Sequence, residues 1–140
     1  MGATMRTIAA VAMLVVGASV ARAQDAASAR AVDCANATTQ GAMNACAARD
    51  RAAADTELDA AFEALQDRVS DEGRDALDEA QRAWIAYRDA QCAFESAGTA
   101  GGSVHPMIVA TCRAELTRAR TERLVRQLEC EEGDLSCGGQ

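Results

Sequence analysis

The sequence predicts an all-α protein, a small antiparallel three-helix bundle with about three disulfides. Three observations carry that expectation. Apolar residues recur at steps of three and four in two long segments and a third shorter one. No apolar run of period two survives anywhere along the chain. Six cysteines, Cys34, Cys46, Cys92, Cys112, Cys130 and Cys137, stand in a chain whose first residues read as an export signal, the setting in which a disulfide framework is expected.

The signal is the first element. Arg6 supplies a positive charge, Ile8 to Ala18 form an apolar core, and Ala21-Arg22-Ala23 places small residues where a signal peptidase reads them, so cleavage is predicted before Gln24. A membrane anchor needs about twenty apolar residues, more than this run contains. No cysteine follows the apolar core closely enough for lipid attachment, since Cys34 is the first. Removing residues 1–23 leaves 117 residues, one domain's worth of chain. What remains carries twelve arginines against 21 acids, a net charge of −9. Such a surface disfavours nucleic acid as a partner. It suits a basic protein, because complementary net charge raises encounter rates.

Residues 24–33 are polar, Ala-rich and without period, and read as a flexible tail. The folded domain is expected over 34–137, with 138–140 as a C-terminal tail. The first helix is predicted from an N-cap at Thr38 or Thr39 through Met43, Cys46, Ala54, Leu58, Phe62, Leu65 and Val69, ending near Ser70. Asp71 and Glu72 suit the N-terminus of a second helix running to about Ser96. Leu77, Ala80, Trp84, Tyr87, Gln91 and Phe94 recur along it at helical steps and mark the face expected to turn to the core. Gly98 to His105 reads as a loop, and Pro106 fits the first turn of a third helix. That helix continues through Val109, Cys112, Leu116, Ala119, Leu124 and Leu128 to about Cys130, before an acidic tail.

Six cysteines allow fifteen pairings, and reach favours the sequential one. An extended stretch from Cys34 can double back over the first turns of the first helix to Cys46. Cys92 and Cys112 flank the Gly-rich loop where neighbouring helices converge, and Cys130–Cys137 closes a short tail loop. With four aromatic residues in the chain, the core must be built from Ala, Leu, Val and Met, which bury less apolar area, and covalent staples offset that weakness.

Several chemistries are disfavoured. The cysteine gaps hold eleven, nineteen and six residues between the proposed partners, unlike the two to four that separate paired zinc ligands, so no metal is expected. There is no C-x-x-C for thiol exchange and no C-x-x-C-H for haem. His105 is the sole imidazole and no Gly-x-Ser-x-Gly elbow occurs, so neither an enzyme nor a cofactor is expected. Asp55 with Asp59, and Asp75 with Asp78 and Glu79, read as solvated helix-surface acids paired with arginines. The segment Gln81 to Cys92 holds the sole Trp and the sole Tyr; Trp84, Tyr87 and Arg88 are assigned structural roles there, with Glu57 a candidate partner for Arg88.

Several separated motifs occur in order: Asp33-Cys34, Ala42 to Cys46, Ala54 to Leu58, Gln81 to Cys92, Gly101-Gly102-Ser103 with Pro106-Met107, Leu116-Thr117 with Arg120-Thr121, and Cys130 to Cys137. Through them the chain resembles the lysozyme-inhibitor LprI-like family over nearly all of its length after the signal. The resemblance implies a small exported, non-enzymatic protein, periplasmic or secreted, whose partner is lysozyme. C-type lysozymes are basic enzymes with an acidic cleft, and a −9 protein would be steered towards them. Steering must be joined by a contact element. Gly101, Gly102, Ser103, Val104 and His105 are the expected contact loop, because a loop already stapled between two helices loses less entropy on binding. A structural or stress-related envelope protein with another partner is the alternative. A carrier holding a small ligand between the helices is the least favoured reading.

Overall fold

The computed structural model describes residues 32–131 and 133–138. The predicted signal at 1–23, most of the predicted tail at 24–33, Glu132 and residues 139–140 lie outside the described residues. A 3-10 turn, Cys34–Asn36, leads into α1 (Gln40–Gln66) and α2 (Asp71–Ser96); a second 3-10 turn, Ala97–Thr99, precedes α3 (His105–Leu128). The described residues contain no strand, and the fold is all-helical with three long helices.

Helix starts follow local chemistry. Thr39, not Thr38, is the N-cap of α1, its hydroxyl accepting from the Ala42 N–H at 3.2 Å. Ser70 caps α2 in the same way through the Gly73 N–H at 3.1 Å, and Asp71 and Glu72 add negative charge to that first turn. Pro106 sits in the first turn of α3, where a missing N–H costs nothing. The first helix stops earlier than its periodicity suggests. Val69 lies beyond α1, and its N–H still bonds the Leu65 carbonyl at 3.2 Å, so the side chain stays buried after the helix has ended.

Side-chain pairs between helices give the register. Between α1 and α3, Gln40 meets Met107 and Asp50 meets Arg118, and just past α1 Arg68 donates to the Leu128 carbonyl, so partners ascend together. Between α2 and α3, Gln81 meets Arg120, Arg88 meets Thr117, Asp89 meets Arg113 and Cys92 meets Cys112, so partners ascend on one helix as they descend on the other. The α1–α3 packing is the more extensive.

The core has two parts with different chemistry. Towards the end of α1, Leu58, Ala61, Leu65, Val69 and Leu124 form an apolar cluster against which Phe62, Leu77, Trp84 and Leu128 pack. Towards the α2–α3 loop the buried positions are small: Ala54, Cys92, Ser96, Ala110, Cys112, Ala114 and Thr117. Small side chains let the helices approach closely but remove little apolar surface from water. The Cys92–Cys112 bond lies within that poorer half.

The face that α2 turns inward differs from the one its apolar residues predict. Phe94 and Tyr87 are 78% and 55% exposed, and Ala80 is exposed as well. The packed stripe instead runs through Leu77, Gln81, Trp84, Arg88, Cys92 and Ser96, again at steps of three and four. Its orientation is fixed by a disulfide and by ion pairs, both carried by residues that apolar periodicity ignores. No helix among the described residues is long and apolar enough to cross a membrane.

Candidate functional site

The connection between α2 and α3 is irregular yet heavily tied. The Ala97–Thr99 turn continues the end of α2, and His105 is already the first residue of α3, so the free loop is shorter than the predicted Gly98–His105 segment. Gly101 has φ +79°, a left-handed conformation that L side chains rarely adopt. A side chain at Gly102 would bring its Cβ to 3.1 Å from the Thr99 carbonyl oxygen. The path of the chain therefore favours glycine at 101 by its dihedral angle, and at 102 any side chain would require the Thr99 carbonyl to give by a few tenths of an ångström.

Five hydrogen bonds and a disulfide hold the loop. The Gly102 N–H donates to the Thr99 carbonyl at 3.0 Å, and the His105 N–H donates to the Gly102 carbonyl at 3.1 Å. Asn44, on α1, donates from Nδ2 to the Ser103 carbonyl at 2.9 Å, and its own Oδ1 accepts from Gln40 Nε2 at 2.8 Å. Thr99 donates its hydroxyl proton to the Ser96 carbonyl at 2.7 Å and lies 2.9 Å from His105 Nδ1. With its one proton so used, the hydroxyl accepts from His105, which places a proton on Nδ1. Behind these contacts the Cys92–Cys112 bond joins the two helices with Cα atoms 5.7 Å apart.

Of the five loop residues singled out in the sequence, Gly101, Gly102 and Ser103 are exposed, and Val104 and His105 are half-buried. The fold thus presents three consecutive small residues to solvent on a fixed backbone. Preorganisation of this kind suits recognition by shape and by backbone groups, not by a large side chain.

Trp84, Tyr87 and Arg88 part company. Arg88 is buried, and its Nη1 lies 3.2 Å from Asp55 Oδ1 and 3.2 Å from Thr117 Oγ1. Its Nε donates to Asp89 Oδ1 at 3.1 Å, and its guanidinium lies 5.1 Å from the Trp84 ring centroid. Arg51 pairs with the second Asp55 oxygen at 2.9 Å, and Arg113 pairs with Asp89 at 3.3 Å. One arginine thereby links all three helices. The acid on α1 is Asp55, half-buried beneath the bundle surface; Glu57 is exposed and does not pair with Arg88. Tyr87 points outward and takes no part.

The remaining cysteines pair as Cys34–Cys46 and Cys130–Cys137, both with Cα separations below 6 Å, at 5.7 and 5.9 Å. Asp33 caps the first of these turns by accepting from the Ala35 N–H and the Asn36 side chain; the Asn36 bond, then the Ala35 bond, hold its carboxyl below the usual carboxylate range. Among the described residues the ligand-type groups that gather within metal-binding distance of one another are Cys130, Asp134 and Cys137. Two of those three sulfur and oxygen donors are spent in a disulfide, which leaves no thiolate to bind a metal.

Periodicity singles out none of Asn44, Gln40, Asp89, Arg113 and Thr117, and it reads Asp55 as a solvated surface acid, whereas Asp55 is half-buried and pairs with Arg88. Asn44, Asp55, Asp89 and Thr117 nonetheless fall inside the ordered motifs that carry the family resemblance, which is where a signal for them lies.

A family model described as Lysozyme inhibitor LprI matches residues 33–124. An uncharacterised protein of Rhizobium meliloti (strain 1021) is 42% identical over 103 residues, covering 64% of this chain and 74% of the relative. No solved structure matches.

Proposed function

The chain belongs to the LprI lysozyme-inhibitor family, and from that premise we propose that it is an exported, non-enzymatic protein that binds and inhibits lysozyme in the periplasm or outside the cell. The observation that carries this reading is the family match, which spans both the three-helix scaffold and the tied loop. Three disulfide pairs fit an oxidising compartment. An acidic chain, with net charge −7 before any processing, is drawn towards a basic enzyme.

In this account the contact is made by Gly101, Gly102, Ser103, Val104 and His105. Lysozyme cleaves with two carboxylates in an open cleft. A narrow loop whose exposed tip, Gly101 to Ser103, lacks bulky side chains can enter such a cleft, and the hydrogen bond from Asn44 and the disulfide behind the loop limit what is lost on ordering. Steering and plugging are then separate tasks, the first done by distributed charge and the second by the loop.

Replacing residues 101–105 by an unrelated loop of equal length tests the assignment in a cell-lysis assay. The expected outcome is loss of inhibition with unchanged helicity and unchanged disulfides. Full inhibition by the replaced variant would move the contact elsewhere on the surface.

A further inference from the structure

Arginine takes the place of lysine throughout the chain, and several of the arginines in the helical domain are committed to ion pairs. Arg51, Arg74, Arg88, Arg113 and Arg118 each pair with a carboxylate. Arg120 and Arg123, one turn apart on α3, form no ion pair among the described residues. Arg120 donates to the neutral Gln81 at 3.1 Å and lies 5.9 Å from the Trp84 ring centroid. Burial, and then the neighbouring Arg123 charge, lower the Arg120 pKa from its ordinary value. Two like charges at this spacing cost helix stability. Neither guanidinium is neutralised by a carboxylate within ion-pair distance among the described residues, so the two form a local focus of positive charge.

Both arginines border a furrow at the α2–α3 seam. On one side of them is a concavity of about 340 Å³ whose walls include Leu65, Val69, Leu77, Ala80 and Leu124. On the other is a smaller one of about 240 Å³, bordered by Trp84, Tyr87, Leu116 and Ala119. The larger volume lies at the lower end of the range for small-molecule sites, roughly 300–1,000 Å³. Apolar walls require an apolar ligand body. Paired guanidiniums without an acid require an anionic head, which the planar Arg fork can bind through two hydrogen bonds at once.

We propose that this furrow binds a single-chain amphiphile with one carboxylate head, the head held by Arg120 and Arg123 and the apolar chain lying along Leu65, Val69, Leu77 and Ala80. This site is separate from the 101–105 loop and does not depend on lysozyme binding. A medium-length chain matches the volume, and the open rim admits it from solvent. The reading differs from a ligand carried in the interior, since the space between α1 and α3 is filled by the cluster of Leu58, Ala61, Leu65 and Leu124.

Trp84 is the sole tryptophan, borders the smaller concavity and lies 5.9 Å from Arg120, so its fluorescence reports a head group held by that arginine. Purified oxidised protein would be titrated with dodecanoate below its micelle concentration. A saturable change in Trp84 emission is expected, with little response to acetate, which lacks the chain, or to dodecyltrimethylammonium, which carries the opposite charge. The Arg120→Gln/Arg123→Gln variant should bind dodecanoate at least about tenfold more weakly, because each charged hydrogen bond lost is worth more than a neutral one. Ala80→Leu, which fills the wall and leaves both charges in place, should weaken it as well, while Phe94→Ser, outside the furrow, should not. Circular dichroism of each variant separates lost binding from lost folding. Equal responses to the anionic and cationic amphiphiles, or unchanged dodecanoate affinity in either furrow variant, would overturn the proposal.

Discussion

Arg88→Met is the substitution that best probes how the bundle is held. Methionine keeps an unbranched stem in a buried position but removes the charge and every donor. The variant loses the ion pairs to Asp55 and Asp89, at 3.2 and 3.1 Å, the hydrogen bond to Thr117 at 3.2 Å, and the stacking over Trp84. Removing one partner of a fully buried pair costs about 3–5 kcal/mol. Here the partner side chains are 28% and 43% exposed, and each keeps a second arginine, Arg51 or Arg113. Water and those arginines replace part of what is lost, so about half of the full cost applies, roughly 2 kcal/mol. For a domain of this size that corresponds to a fall in Tm of about 8 °C. Denaturant unfolding of the oxidised protein, followed by far-UV circular dichroism, measures the difference. Glu57→Gln is the control and should shift stability by less than about 0.5 kcal/mol, because Glu57 is exposed and outside the network. In a double-mutant cycle, Arg88→Met and Asp55→Asn should couple by about 1 kcal/mol. A loss below about 0.5 kcal/mol for Arg88→Met, or an equal loss for Glu57→Gln, would refute the assignment of Arg88 as the link between the helices.

The other stability predictions address the two parts of the core. Cys92→Ser/Cys112→Ser opens a connection of 20 residues and should cost about 3 kcal/mol on loop entropy, with the 101–105 segment becoming more protease-sensitive than the α1–α2 turn. Denaturation and limited proteolysis check it, and equal stability of oxidised wild type and variant would contradict it. Leu65→Ala removes a side chain that is 3% exposed from the apolar cluster and should cost about 3 kcal/mol, read from the same unfolding curves.

Helix positions were legible because their signals are local. The cap at Thr39, the acids after Ser70 and the proline after the glycine loop each act within one turn of chain, whereas Ser70, read as the end of the first helix, is the cap of α2. The rotation of α2 was not legible. Tyr87 and Phe94 look like core residues by period, yet the inward face is chosen by Arg88, Cys92 and Ser96, whose partners lie on other helices. Periodicity weighs hydrophobicity and cannot see that a buried arginine with three polar partners anchors a helix as firmly as a leucine. The same limit explains Asp55. An acid four residues after Arg51 reads as a surface pair, and that pair exists, but its second oxygen reaches across to α2. The loop was visible as composition, whereas its ties to Asn44 and Thr99 depend on which helices meet there.

Inhibition itself is measured most directly by the rate at which lysozyme clears a suspension of susceptible cells, with increasing amounts of the purified oxidised protein and with c-, g- and i-type enzymes in parallel. Dose-dependent slowing of clearance by at least one type is the predicted result, weakening as salt screens the attraction between an acidic inhibitor and a basic enzyme. Unchanged clearance by all three at excess inhibitor would contradict the account and favour a partner other than lysozyme.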